Sequence, residues 1–166
     1  MVNTADATTT LELPKFGTVT FAETDLFVFP WGLPGFEHLR VFLVLSLENQ
    51  PTILWLQSTE DVNVALPMAD PWLFFPDYAP KLPTFAILSL ELNAPEEFTT
   101  MGIVVIPESG PLYMNLMAPV VLNLPKRIGR QVALESGNYS VATQMPEFET
   151  VTATEPPVER AEADVR

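Results

Sequence analysis

Short apolar runs broken by polar or proline-bearing stretches dominate this chain, and their lengths suit strands more than helices. Phe16–Phe21 alternates and is rich in β-formers, and Leu26–Phe29 follows after a short acidic break. Val41–Leu47 is a nearly continuous apolar run that ends at Glu48-Asn49-Gln50-Pro51, and Thr52–Gln57 then resumes. Asn and Pro in so short a break predict a hairpin. Val62–Met68 and Gly102–Ile106 give the same strand signal, and Tyr113–Leu116 and Pro119–Leu124 read as separate runs. Val132–Leu134 closes the set after a basic turn, Lys126-Arg127-Ile128-Gly129-Arg130. Seven or eight short strands with frequent turns predict a mainly β fold, either a sandwich or a closed barrel.

Two segments depart from this rhythm. Asp70-Pro71-Trp72-Leu73-Phe74-Phe75 begins with a good capping residue and a proline at the first helical position, and Pro76 stops it, so one helical turn is expected. Thr84–Leu92 fits helix and strand equally by periodicity. As a helix it would be capped by Thr84 and ended by Asn93 and Pro95.

Composition narrows the class. The chain has 166 residues, 48% hydrophobic and 17% charged, which suits one globular domain with tails. Its 17 prolines argue against long helices, and the absence of cysteine excludes disulfides and thiolate metal sites. The start lacks the pattern of a signal peptide, and no apolar run approaches the ~20 residues that span a bilayer, so the expectation is a cytoplasmic protein with no membrane contact.

Charge is unevenly spread. The net charge is −13; residues 1–12 carry two of these charges and residues 147–166 a net four, which leaves seven between them. Both ends are poor in large apolar residues and are expected to be disordered tails flanking a domain at 13–146. Direct nucleic-acid binding is disfavoured, and a basic protein surface becomes the attractive partner.

Catalytic patterns are sparse. His38 is the single histidine and lies beside Glu37 and Arg40 in a polar turn, which suits a solvated side chain. No serine stands in a nucleophile elbow, and Gly32-Leu33-Pro34-Gly35 reads as a tight turn, not a phosphate loop. Glu60-Asp61 and Glu96-Glu97 read as solvated acids. No catalytic residue, cofactor site or metal site is assigned. Lys126, Arg127 and Arg130 form the basic cluster and read as a charged hairpin turn. Trp31, Phe36, Trp72, Phe74 and Phe75 gather near turns, either as plugs at the barrel ends or with one or two exposed as anchors.

Several blocks occur together in order. They are Pro30-Trp31-Gly32-Leu33-Pro34-Gly35-Phe36-Glu37, Leu54-Trp55-Leu56-Gln57-Ser58, Ala69-Asp70-Pro71-Trp72-Leu73-Phe74-Phe75-Pro76-Asp77-Tyr78, Asn115-Leu116-Met117-Ala118-Pro119-Val120-Val121-Leu122-Asn123, and Gly129-Arg130-Gln131-Val132. Over residues 14–140 the chain resembles the flagellar assembly factor FliW family. The resemblance implies a small antiparallel β-barrel with one or two short helices, and it tips Thr84–Leu92 toward helix. It also implies a non-enzyme, monomeric when free, that binds flagellin in the cytoplasm and antagonises the RNA-binding translational repressor CsrA. The chain departs from the family after Ser140, where Val141–Pro146 leads into an acidic tail of its own.

The acids near these blocks, Glu37, Glu60, Asp61, Asp70 and Asp77, are the candidate repressor contacts, with Trp31 and Trp72 as candidate anchors. Thr84–Leu92 is more apolar than a surface helix requires, so it is either packed deeply or offers an apolar contact face. Two other classes stay open: a hydrolase working through paired carboxylates, and a barrel that holds a small apolar ligand inside.

Overall fold

The computed structural model describes residues 7–147. Ten strands occur in chain order: β1 Thr8–Leu13, β2 Gly17–Ala22, β3 Phe27–Val28, β4 Val41–Leu47, β5 Gln50–Ser58, β6 Ala65–Ala69, β7 Phe98–Val105, β8 Tyr113–Asn123, β9 Ile128–Gln131 and β10 Thr143–Gln144. Two short helices, α1 Pro71–Phe74 and α2 Thr84–Ser89, lie between β6 and β7. β1 and β2 form a separate two-stranded sheet.

The other strands close on themselves. They run β8-β7-β6-β5-β4-β3-β9, and β9 pairs back onto β8, while the short β10 lies outside this ring against the start of β8. The expected antiparallel barrel is therefore present, and the one exception to its antiparallel pairing is the short β3–β9 contact through Val28 and Ile128. Closure requires a small residue at that seam. A Cβ on Gly129 would lie 2.5 Å from the Phe29 ring and 2.8 Å from Leu122, so glycine leaves the room that the Phe29 ring fills.

Strand alternation divides the apolar residues between two faces. Leu56, Met68, Val120 and Leu122 join Phe27, Phe29 and Phe42 inside the ring. Their neighbours Trp55, Ala69 and Val104 face outward, where Phe74 and Tyr78 from the α1 segment cover them. Val121 and Val132 also face outward, beneath Ala86 and Leu90 at α2. The interior is packed with side chains, three of them fully buried phenylalanines, which removes the room that the interior-ligand alternative needs.

Four sequence expectations change. Thr8–Glu12, assigned to the tail at 1–12, belong to β1, because this Thr-rich segment pairs with β2 and Thr10 hydrogen-bonds Thr20. The remainder of that expected tail lies outside the described residues, as does the expected acidic tail beyond Glu147. Tyr113–Leu116 and Pro119–Leu124 are one strand, β8. Pro119 is accommodated where the register against β7 shifts, and Asn115 Oδ1 accepts the N–H groups of Met117 and Ala118 there. The expected basic turn ends at Arg127, since Ile128–Gln131 already pair with Val120–Asn123. Finally, α2 is helical but Pro83 holds its cap position, and Thr84 is its first helical residue.

Candidate functional site

Trp31, Glu37, Glu60 and Asp61 gather near Arg40. Its backbone N–H donates to Glu60 Oε1 at 2.6 Å, and its side chain donates to the carbonyls of Glu37 and Pro30. Asp70, Trp72 and Asp77 lie together on the α1 segment. The predicted contact residues thus form two groups.

Most of these acids already have local work. Glu60 Oε1 also accepts from Val41 N–H at 3.1 Å, which anchors the start of β4. Asp61 Oδ1 accepts from Asn63 N–H, and Asp70 Oδ1 caps α1 through Trp72 N–H. Glu37 accepts from Gly35 N–H. The backbone N–H donors of Glu37 itself and Gly35 hold its carboxyl below the usual range, with a smaller contribution from His38. Asp77 is exposed. A carboxylate that accepts a backbone N–H is still charged, but its geometry is set by the turn it holds.

The α1 segment is tied down by aromatic side chains. Trp72 Nε1 donates to the Tyr78 carbonyl at 2.7 Å, and Tyr78 OH donates to the Leu116 carbonyl at 2.7 Å. Tyr139 crosses Tyr78 edge-on at 4.8 Å, and its hydroxyl accepts from Ala79 N–H. Burial pushes the Tyr78 hydroxyl well above its ordinary range, with a smaller push from Tyr139. A cavity of ≈ 350 Å³ beside this knot is lined by Phe74, Tyr78, Leu116 and Tyr139 among others. Of the aromatics weighed as barrel plugs, Phe74 is buried, whereas Trp31 and Trp72 are 43% and 40% exposed.

A third surface was foreseen from sequence only in part. Phe85, Ile87 and Leu88 on α2 face outward, Leu88 with 70% of its surface exposed. The Arg130 guanidinium of β9 lies 4.2 Å from the Trp31 ring and 4.9 Å from the Phe85 ring. The apolar character of Thr84–Leu92 signalled half of this surface; the meeting of Arg130 with Trp31 had no local signal.

Chemically, these surfaces suit recognition. The pair Glu60-Asp61 sits in a turn, with both carboxylates bonded to backbone N–H groups. Among the described residues no cluster of His, Asp or Glu has metal-binding geometry, and no helix is long and apolar enough to cross a membrane.

Comparison with known proteins agrees with the blocks quoted above. The family model described as "FliW protein" matches residues 10–145. A flagellar assembly factor FliW from Thermosipho africanus is 38% identical over 136 residues, covering 81% of this chain and 94% of the relative. Its counterpart from Pseudothermotoga lettingae is 40% identical over 129 residues, covering 76% of this chain and 82% of the relative. A crystal structure of the flagellar assembly factor FliW superposes with a TM-score of 0.78 at 26% identity, covering 85% of this chain and 99% of that one.

Proposed function

The chain belongs to the FliW family of flagellar assembly factors, and from that premise we propose that it is a partner switch binding flagellin and the translational repressor CsrA in the cytoplasm. Flagellin held by this protein leaves the repressor free to silence flagellin translation. Once flagellin is exported, the protein captures the repressor and translation resumes. It works by binding and performs no catalysis.

The observation that carries this reading is the family match, which spans residues 10–145 and so nearly the whole barrel. Two features support it. The net charge of −13 favours a basic RNA-binding partner over nucleic acid itself. Half-exposed Trp31 and Trp72 supply aromatic area of the kind found at binding hot spots.

The test is a calorimetric titration of the purified chain with flagellin and, separately, with CsrA. Binding of both at about micromolar or tighter is expected. Failure to bind either partner would falsify the reading. Adding flagellin mRNA leader to the complex with CsrA then separates the modes of antagonism: excess RNA fully reverses direct blocking and leaves antagonism from a distance in place.

A further inference from the structure

The outer face of α2 and its junction with β9 combine two features that are unusual together in so acidic a chain. The first is apolar exposure. Ala86 and Leu90 are the buried residues that seat α2 on the barrel, while Phe85, Ile87 and Leu88 are 43%, 40% and 70% exposed. The second is positive charge without a contact ion pair. Arg130 Nη1 donates to Ser89 Oγ at 3.0 Å, and its plane is held between the Trp31 and Phe85 rings. Arg127 nearby stacks 3.9 Å from the Phe27 ring and donates to the carbonyls of Asp25 and Leu26. Arg130 has no carboxylate at ion-pair distance, and Arg127 feels the charge of Asp25 only at longer range: among the described residues the one ion pair is Lys126–Glu91, at 3.3 Å.

A guanidinium fixed between rings keeps its fork of donors for a carboxylate while losing little further entropy on binding. The exposed apolar surface beside it calls for an apolar side chain on the same ligand. A basic protein is repelled by Arg127 and Arg130. Nucleic acid and a second copy of this chain bring many negative charges against the net −13, whereas a short segment brings few and sets them on the local positive charge of Arg130.

We propose that the α2–β9 face is the docking surface for an amphipathic acidic segment of a protein partner, which lays apolar side chains on Phe85 and Leu88 and a carboxylate on Arg130. The inference rests on the partner reading above. Of the two partners named there, it assigns flagellin to this face and leaves the basic repressor to the acids elsewhere.

The experiment titrates flagellin and CsrA separately into the full chain and into Leu88→Ser, Arg130→Gln and Arg130→Lys. Leu88 is largely solvent-exposed, so its replacement leaves the fold intact, which an unchanged urea midpoint verifies. Leu88→Ser and Arg130→Gln are each expected to weaken flagellin binding about tenfold, as for a hot-spot residue, with CsrA binding unchanged. Arg130→Lys keeps the charge but loses the planar stack, and is expected to fall between. Flagellin binding at wild-type strength by the variants overturns the inference while leaving the partner reading standing. So does a loss confined to CsrA, or RNA binding or self-association that the substitutions abolish. A wild-type chain that binds neither protein overturns both.

Discussion

Gly32 shows how a family block acts through backbone geometry. Its φ is +68°, and a Cβ there would lie 2.7 Å from Glu37 Cα and 2.8 Å from the Glu37 carbonyl oxygen. Gly32→Ala therefore meets a disfavoured conformation and rigid backbone atoms together, with an expected cost of about 2–3 kcal/mol. Gly110 has φ +98° but nothing within 4 Å of a Cβ, so Gly110→Ala isolates the conformational part, about 1 kcal/mol. Equal losses in urea unfolding would show that the close approach to Glu37 contributes nothing. Tyr78 yields a second prediction at this scale. Its hydroxyl is held neutral in the fold, above the ordinary value of about 10. Above that pH the unfolded chain loses the proton first, so stability is full below pH ~10 and falls as pH rises past it. Tyr78→Phe should flatten that alkaline slope, while costing about 1 kcal/mol at pH 7 through the lost bond to the Leu116 carbonyl. Urea midpoints taken between about pH 7 and 11 check both parts, and an unchanged slope in the variant refutes the assignment to Tyr78.

At the scale of elements, Asn123 joins α2 to the β8–β9 turn. Its side-chain amide is buried, donates to the Leu90 carbonyl at 2.8 Å and accepts from Lys126 N–H at 3.1 Å. Asn123→Leu leaves both backbone groups without this partner, and should cost about 2–3 kcal/mol and loosen α2 before the barrel. Amide exchange that accelerates in α2 but not in β4 and β5 is the expected signature; uniform acceleration would show that α2 has no separate anchor. The same elements show what the sequence makes legible. β4, β5 and the cap of α1 can be read locally, because alternation and capping chemistry lie within a few residues. β8 could not, because the stretch between Leu116 and Pro119 looks like a break, although Asn115 satisfies the N–H groups of Met117 and Ala118 inside one strand. The start of β9 reads as a turn because Gly129 is small for a packing reason, the Phe29 ring and Leu122 beside it at the seam, that is distant in sequence. The candidate acids were visible as charges, but Glu60 serves Arg40 N–H, 20 residues away in sequence. The contact of Trp31 with Arg130 arises only when the barrel closes.

For the whole molecule, charge and closure act on different terms. The closed ring satisfies its strand edges and packs its interior with side chains, so stability rests on burial. The net charge of −13 opposes that compact state through self-repulsion, and the one ion pair among the described residues offsets little of it. Raising NaCl from about 0.05 to 0.5 M should therefore raise the urea midpoint, because screening relieves repulsion more than it weakens attraction. The same change should weaken CsrA binding about tenfold, the loss of roughly three exposed ion pairs worth ~0.5 kcal/mol each. Docking on Phe85 and Leu88 depends mainly on apolar area, so flagellin affinity should fall much less. Thermal or urea unfolding and the two titrations, run across one salt series, give three slopes to compare. A midpoint that falls with salt would mean that attractive surface pairs stabilise the barrel. Equal salt slopes for the two partners would mean that they share one electrostatic surface, against the division of acids and α2 between them.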